Sequence, residues 1–428
     1  MEIWSFFSGA MGLDIGLREA GLTPTLAVEL DQWCCETIRS NLPELDLVEG
    51  DARNLTSAHL RERRHFDDEV FLIVGGPPCQ SFSPGGKRAG LSDPRGHLIY
   101  EYLRLVDEIR PKFFLLENVA NLVTAALCHR EIKDRPGKHW SLKKYETSQI
   151  VSEDGAPAML PDELSGSAVR QLLQDVGNLG YSITFGVVNA ADYGAAQHRL
   201  RFIMLGSKEG PAPELPFPTH GDPSTDLRPF KTVREAIEDL RSSPGSHSSY
   251  TPEMMRYFEC VPEGGNWRNL PKSLHAEALG GAYNSGGGKT GFFRRLSWDA
   301  PAPTIIGRAN RKGSAMCHPE YTRPLSVKEC ARIQGFPDYW KFAGPMNQQY
   351  LQVGNAVPVE LGRAIGGSIQ ARATMTRDVM AQAASDRFNE VMLDRAVKRL
   401  RASARNKQSR KSLPMTLFDD ANLHDQLP

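Results

Sequence analysis

Val70-Phe71-Leu72-Ile73-Val74 runs directly into Gly75-Gly76-Pro77-Pro78-Cys79-Gln80-Ser81-Phe82. The apolar run predicts a buried strand, and the loop behind it carries one cysteine at the strand's C-terminal end, where open α/β sheets gather their chemistry. Two consecutive prolines fix φ and restrict the residue ahead of each, while Gly75 and Gly76 permit close backbone approach to a ligand. Cys79 is therefore expected to be held in one pose beside a ligand. The competing reading is a buried structural thiol, since free cysteine is among the most buried residue types.

The segments upstream and downstream repeat the pattern. Ile3-Trp4-Ser5-Phe6-Phe7 predicts a short strand, and Ser8-Gly9-Ala10-Met11-Gly12 a glycine-containing turn into a helix beginning near Leu13. Thr25-Leu26-Ala27-Val28-Glu29 predicts a second parallel strand that ends in an acid 17 residues after Gly12, a spacing that suits a carboxylate accepting hydrogen bonds from ribose hydroxyls. A third unit ends in Gly50-Asp51-Ala52, and a fifth, Lys112-Phe113-Phe114-Leu115-Leu116, ends in Glu117-Asn118-Val119. Any one of these acids could be a solvated loop residue. Three acids, a glycine turn and a rigid cysteine at one sheet edge point instead to a bound ligand and a reaction.

Taken with Gln197-His198-Arg199-Leu200-Arg201, Arg323-Pro324-Leu325-Ser326 through Gln334-Gly335-Phe336-Pro337, and Gly354-Asn355-Ala356-Val357-Pro358, these blocks make the chain resemble the C5-cytosine DNA methyltransferases of bacterial restriction-modification systems. The blocks cover most of residues 1 to 372. Two departures stand in the first block, where the family usually has Asp at the position of Ser5 and Gly at that of Met11. The resemblance implies a class I methyltransferase (Rossmann-like) α/β sheet with helices on both faces, plus a smaller, irregular, β-containing target-recognition domain.

It also implies roles. Cytosine C5 is a poor nucleophile, so a thiolate adds to C6 and turns the ring into an enamine; Cys79 matches that thiolate. Glu117 matches the carboxyl group bonded to N3 and the N4 amine, and Arg199 and Arg201 match arginines that hold O2 and order the site. A nearby arginine favours thiolate over thiol. The methyl donor is S-adenosylmethionine, with S-adenosylhomocysteine as product and no metal. Phe7 matches the aromatic packed on adenine, Glu29 the ribose acid, and Asp51 the acceptor from the adenine amine, with Leu30 and Ala52 as apolar walls. Ser8, Gly9, Gly12, Leu13, Gly76 and Pro78 complete that pocket, and Asn355 and Val357 close it. Gln80 and Ser81, beside the nucleophile, are DNA-contact candidates. The target base must leave the duplex, because a stacked cytosine cannot present its C5 and C6 to both reactants. No residue stands out as the base that removes the C5 proton.

Composition agrees. At 428 residues with 40% hydrophobic content the chain can carry two domains with full cores. No segment approaches 18 consecutive apolar residues and the first residues open a strand, which predicts neither a membrane span nor a signal peptide. Seven cysteines (34, 35, 79, 128, 260, 317, 330) include no CxxC pair, a reduced, cytoplasmic inventory without a zinc site. Formal net charge is zero. Residues 286 to 323, however, hold seven cations against two acids in a glycine-rich setting; Arg311 and Lys312 are candidates for phosphate contact there, and Arg294 and Arg295 for base reading.

The expected organisation is a catalytic and cofactor-binding domain over 1–207, interrupted by an insertion or loop over 129–166. A target-recognition domain follows over 208–340, then a return to the catalytic domain over 341–372. Residues 373–428 form a helix and a basic, partly disordered tail. The expected partner is double-stranded DNA, gripped by a monomer, with a cognate restriction endonuclease acting separately. A transfer-RNA cytosine methyltransferase of the same fold and a non-catalytic DNA-binding regulator are the alternatives; intact Cys79, Glu117, Arg199 and Arg201 weigh against the second.

Overall fold

The computed structural model describes residues 1–78, 97–128, 160–284, 291–375 and 386–409. Cys79, Gln80, Ser81, Gly286 to Lys289, most of the 129–166 stretch and the tail from 410 lie outside the described residues.

The catalytic sheet has seven strands. Five run parallel: β1 (Ile3–Phe6), β2 (Leu26–Glu29), β3 (Asp46–Glu49), β4 (Leu72–Gly75) and β5 (Phe113–Val119). β6 (Ser182–Asn189) and β8 (Leu200–Ser207) complete the sheet, with the two-residue β7 (Gln197–His198) between them in sequence. The order is β3-β2-β1-β4-β5-β8-β6, with β8 antiparallel to both neighbours. β1 and β4 are buried at every position, the near-continuous apolar strand that a sheet covered on both faces requires. After β3 the chain crosses to the other side of β1, so β1 and β4 flank the switch point where open α/β sheets hold ligands. Phe7 lies just beyond β1, at φ 55°.

Helices α1 (Gly12–Glu19), α2 (Gln32–Asn41), α3 (Ser57–Arg64), α4 (His97–Ile109) and α5 (Ser167–Asn178) connect or flank the strands. Side chains cap two of them: Asp31 accepts from the amides of Trp33 and Cys34, and Thr56 from that of His59. Met11, at the start of α1, is buried and holds φ 66°. That left-handed conformation is easiest for glycine, the residue the resemblance leads one to expect there.

The region after β8 is built mainly from short helices: α6 (Val233–Ile237), α7 (Pro252–Glu259), α8 (His275–Leu279) and α9 (Val327–Ile333). Its named strands are two-residue pieces, β9 (His220–Gly221), β10 (Arg228–Pro229) and β11 (Ala302–Pro303). Tyr250, Tyr257, Phe258, Trp267 and Phe293 form a core of their own. By contrast Val233, Leu296, Leu325 and Phe336 share an apolar cluster with Met11 and Ile15 of the first block.

The chain then returns through α10 (Met346–Asn355) and α11 (Val359–Thr374). α11 lies against α1 at backbone contact: a Cβ on Gly12 would stand 2.4 Å from the Val357 carbonyl oxygen, and one on Gly16 2.1 Å from that of Val359. Any side chain there would push the late block away from the first turn. The final helix, α12 (Asp386–Ser409), is not a free arm. Leu393 and Ala396 are buried in the catalytic core beside Leu122 and Val123.

Candidate active site

The strand ends converge on one cavity of about 1520 Å³, lined at one end by Phe7, Gly9, Glu29, Leu30, Asp51 and Ala52 and at the other by Glu117, Arg199 and Arg201. Ser8, Gly12, Leu13, Gly76, Pro78, Asn355 and Val357 line it as well. Pro78 is covalently next to Cys79, so the cysteine's loop leaves from the cavity wall.

Strand register sets the central ion pair. Glu117 stands opposite Ile203 and Val119 opposite Arg201 in the antiparallel β5–β8 ladder, so Glu117 and Arg201 are diagonal neighbours on one face. Arg201 Nε lies 2.7 Å from Glu117 Oε1. Burial pushes the Glu117 carboxyl above the ordinary 4.5, against the pull of Arg201 and Arg199. A Cβ on Gly76 would come within 3.2 Å of Glu117 Oε2, so the glycine lets the cysteine's loop pass the carboxylate. Asn118 Nδ2 donates to the Pro77 carbonyl at 3.2 Å and ties that loop to β5.

Arg199 is almost fully buried. Its guanidinium donates to the carbonyls of Ile305 at 2.7 Å and Gly354 at 2.8 Å, joining three blocks remote in sequence. Its Nε is buried with no hydrogen-bond partner among the described residues. A second clamp lies alongside: Gln197 Nε2 donates to Gln334 Oε1 at 2.6 Å, and Gln334 Nε2 donates to the Val353 carbonyl at 2.5 Å. Both glutamines stand in blocks singled out in the sequence, yet nothing local showed that their amides would pair.

At the other end Glu29 accepts the amide of Gly9 at 2.7 Å and those of Leu30 and Asp31 at 2.8 Å each. Burial outweighs these donors and raises its carboxyl. A carboxylate has about four acceptor positions, so capacity for hydroxyls remains. Leu30 is 63% exposed, an apolar ledge beside this acid. Asp51 is engaged by Arg53, whose Nε lies 2.9 Å from Oδ2, and this pairing holds its carboxyl below the usual range. The sequence reading did not include Arg53.

Asp14 lines the same cavity and is buried, with Oδ1 unpartnered among the described residues. Burial raises its carboxyl from 3.8 to about 6. A carboxyl raised on folding makes the folded state bind the proton more tightly. Its stability contribution is therefore greatest below pH 4, falls as pH rises to about 6, and stays low above that. Asp14→Asn should leave stability near wild type at pH 4 and raise it by up to about 3 kcal/mol at pH 7, read from urea midpoints across that range.

The basic candidates of the smaller region separate on structural grounds. Arg311 and Lys312 are exposed. Arg295 is corrected from base reader to core residue: it is 6% exposed and donates to the carbonyls of Val261, Phe258 and His318 and to the Thr322 hydroxyl. Its donors are committed inside the protein and none reaches a groove. Arg294 is partly buried, and burial lowers its pKa. Arg295→Met should cost roughly 3 kcal/mol of stability, because three buried carbonyls lose a charged donor. Arg311→Ala and Lys312→Ala should leave the unfolding midpoint unchanged and each reduce the salt slope of DNA binding by about one. Unfolding curves and salt titrations of the three variants check this.

Among the described residues no group of three or more His, Cys, Asp or Glu is placed to hold a metal, and no helix is long and apolar enough to cross a membrane.

The sequence model of one family, described as C-5 cytosine-specific DNA methylase, matches residues 1–134 and 158–371. The type II methyltransferase M.Sau96I of Staphylococcus aureus is 33% identical over 369 residues, covering 86% of this chain and 75% of that protein. M.Eco47II of Escherichia coli is 35% identical over 375 residues, covering 86% and 78%. Among solved structures, a protein encoded within an E. coli prophage aligns with a TM-score of 0.58 at 22% identity, over 88% of this chain and all of that one; this likeness supports the fold.

Proposed function

Because the chain belongs to the C-5 cytosine-specific DNA methylase family and is a DNA cytosine-C5 methyltransferase, we propose that its cavity takes S-adenosylmethionine at the Glu29–Asp51 end. A flipped cytosine would enter at the Glu117–Arg201 end, where Cys79 adds to C6. The observation that carries this reading is the continuity of the two ends in one cavity, with the cysteine's loop leaving its wall between them. The family model is that of a DNA methylase and the curated relatives are type II methyltransferases, which leaves a transfer-RNA substrate or a non-catalytic regulator less supported.

The donor end fits a nucleoside. It offers a carboxylate with spare acceptor capacity, an exposed leucine ledge, a phenylalanine in the turn after β1, and glycine backbone at α1. Bound there, S-adenosylmethionine supplies an electrophilic methyl on a sulfonium. The chain's own groups do the rest. Cys79 Sγ, as thiolate, bonds to C6 and pushes electrons into the ring. Glu117, raised toward its protonated form by burial, hydrogen-bonds N3, where that charge accumulates. Arg201 holds the Glu117 carboxyl in place. The unpartnered Nε of Arg199 is available to a cytosine O2, while its terminal nitrogens brace the surrounding blocks. C5 would then take the methyl as the methyl–sulfur bond breaks with its electron pair left on sulfur, and loss of the C5 proton to water with expulsion of the Cys79 thiolate would complete the cycle.

Residues 208–340 read the sequence in this proposal, with Arg311 and Lys312 on phosphates and Arg294 the remaining base-reading candidate. The site partner is double-stranded DNA, and a separate restriction endonuclease would use the same target. Expression in cells followed by bisulfite sequencing tests the function. The expected result is 5-methylcytosine confined to one short sequence context; unmodified DNA from cells making soluble protein would overturn it. Exchanging 208–340 for the matching segment of a relative should change that context and not the product.

A further inference from the structure

Helix α12 lies beyond the last residue matched by the family model, 371, yet it is packed against the catalytic domain. Its apolar positions recur at 393, 396, 397 and 400, the spacing of one helix face. That face covers β6 and the turn Ala120–Thr124, which directly follows β5, the strand of Glu117. Arg399 pairs with Asp192, in the loop that leads to Arg199 and Arg201. The helix is thus held by an apolar strip and by an ion pair to the catalytic loop.

This docking brings the far part of the helix to the cavity. Leu400 and Arg401 line it together with Asn121 and Thr124, on the stretch of rim that continues from Glu117. Arg401 is exposed to solvent. The charge of the helix is polarised toward that end: residues 398 to 411 hold seven cations and no acid, in a chain whose net charge is zero. A surface arginine run is ordinarily just a solvated face. Here the run begins where an anchored helix meets the mouth of a cavity meant for a base drawn from a polyanion.

We propose that α12 is part of the DNA-binding surface, with Arg401 contacting the phosphate backbone beside the flipped cytosine. The inference rests on the proposed function for the identity of the polyanion. The helix packs on β6 and on the turn after β5, on the Glu117 side of β4 in the sheet, whereas Glu29 and Asp51 follow β2 and β3 on the other side, so the contact of Arg401 is with the nucleic acid rather than with the methyl donor. The anchored helix also makes the contact rigid, which lowers the entropy cost of forming it.

The test is binding of a duplex oligonucleotide to the full-length protein as a function of salt, with S-adenosylhomocysteine affinity measured alongside. Arg401→Ala should reduce the salt slope by about one and weaken binding roughly five- to tenfold near 0.1 M salt. Arg401→Lys should keep the slope, because the charge remains. Arg395→Ala, which removes an exposed cation of the same helix that does not line the cavity, should leave the slope unchanged. Affinity for S-adenosylhomocysteine should not change in any of the three. An Arg401→Ala protein with wild-type slope and affinity overturns the proposal, as does a lost affinity for S-adenosylhomocysteine with intact DNA binding. A chain ended at residue 375 should lose more binding than Arg401→Ala; if it fails to fold, the point variants still decide. Binding is read without turnover, so a wild-type protein that gripped DNA through Arg401 but did not methylate it would sink the proposed function and leave this inference standing.

Discussion

Cys79→Ser is expected to abolish methylation, by roughly four orders of magnitude or more, the scale on which removing a catalytic nucleophile acts. A serine hydroxyl at neutral pH has a negligible anionic fraction and cannot add to C6, whereas a cysteine thiol is far more acidic and its thiolate is the nucleophile. Affinity for duplex DNA and for S-adenosylhomocysteine should remain near wild type, because neither end of the cavity loses a contact. The companion experiment uses duplex DNA containing 5-fluorocytosine. Fluorine cannot leave as a cation, so elimination stalls and the protein should remain bonded to C6 through Cys79. Peptide mass spectrometry that finds the adduct on another cysteine, or none with an otherwise active enzyme, would refute the mechanism. Near-normal turnover by Cys79→Ser would sink the assignment outright.

Glu117→Gln is expected to lower kcat by about 10²- to 10⁴-fold, the usual range for a positioned acid. The amide keeps the size of the side chain but cannot supply a proton to N3 as charge develops there, and it gives up the ion pair with Arg201. The pH profile separates this role from a structural one. Burial raises the Glu117 carboxyl above 4.5, so the protonated fraction, and with it the rate, should fall as pH rises through that elevated value. Ionisation of Cys79 acts in the opposite direction, giving a bell-shaped profile in the wild type. The descending limb assigned to Glu117 should vanish in the Gln variant, while substrate affinity changes much less than kcat. A Glu117→Gln enzyme within a few-fold of wild type, or one with an unaltered profile, would remove Glu117 from the proton path.

Both substitutions fall on residues found by reading strand ends. Apolar runs closed by Gly9, Glu29, Asp51, Pro78 and Glu117 needed only the periodicity of buried parallel strands and the geometry of an open sheet, in which successive ends share one edge. All five residues line one cavity. Sequence reading went less far with arginines. Arg294 and Arg295 are neighbours in a glycine-rich basic stretch and looked alike. One is partly buried, and the other is locked by carbonyls 23 to 37 residues away in sequence. Arg199 and Arg201 likewise looked like a pair. In the fold, Arg201 faces Glu117 while Arg199 braces Ile305 and Gly354. The last helix was legible as a helix, but not what its apolar face would cover.

What the sequence determined alone was the sheet and the residue types that its strand ends bring to one edge. These follow from covalent order and a period of two or 3.6, both local properties of the chain. Only the tertiary structure decided which polar groups keep capacity for a ligand and which are consumed within the protein. That depends on strand register, as for Glu117 and Arg201, and on side-chain hydrogen bonds to the backbone of blocks more than 100 residues away, as for Arg199 with Ile305 and Gly354. A hydrogen-bonding group buried in a fold must find a partner, and whether that partner is protein or substrate is settled by packing that no local stretch of sequence contains.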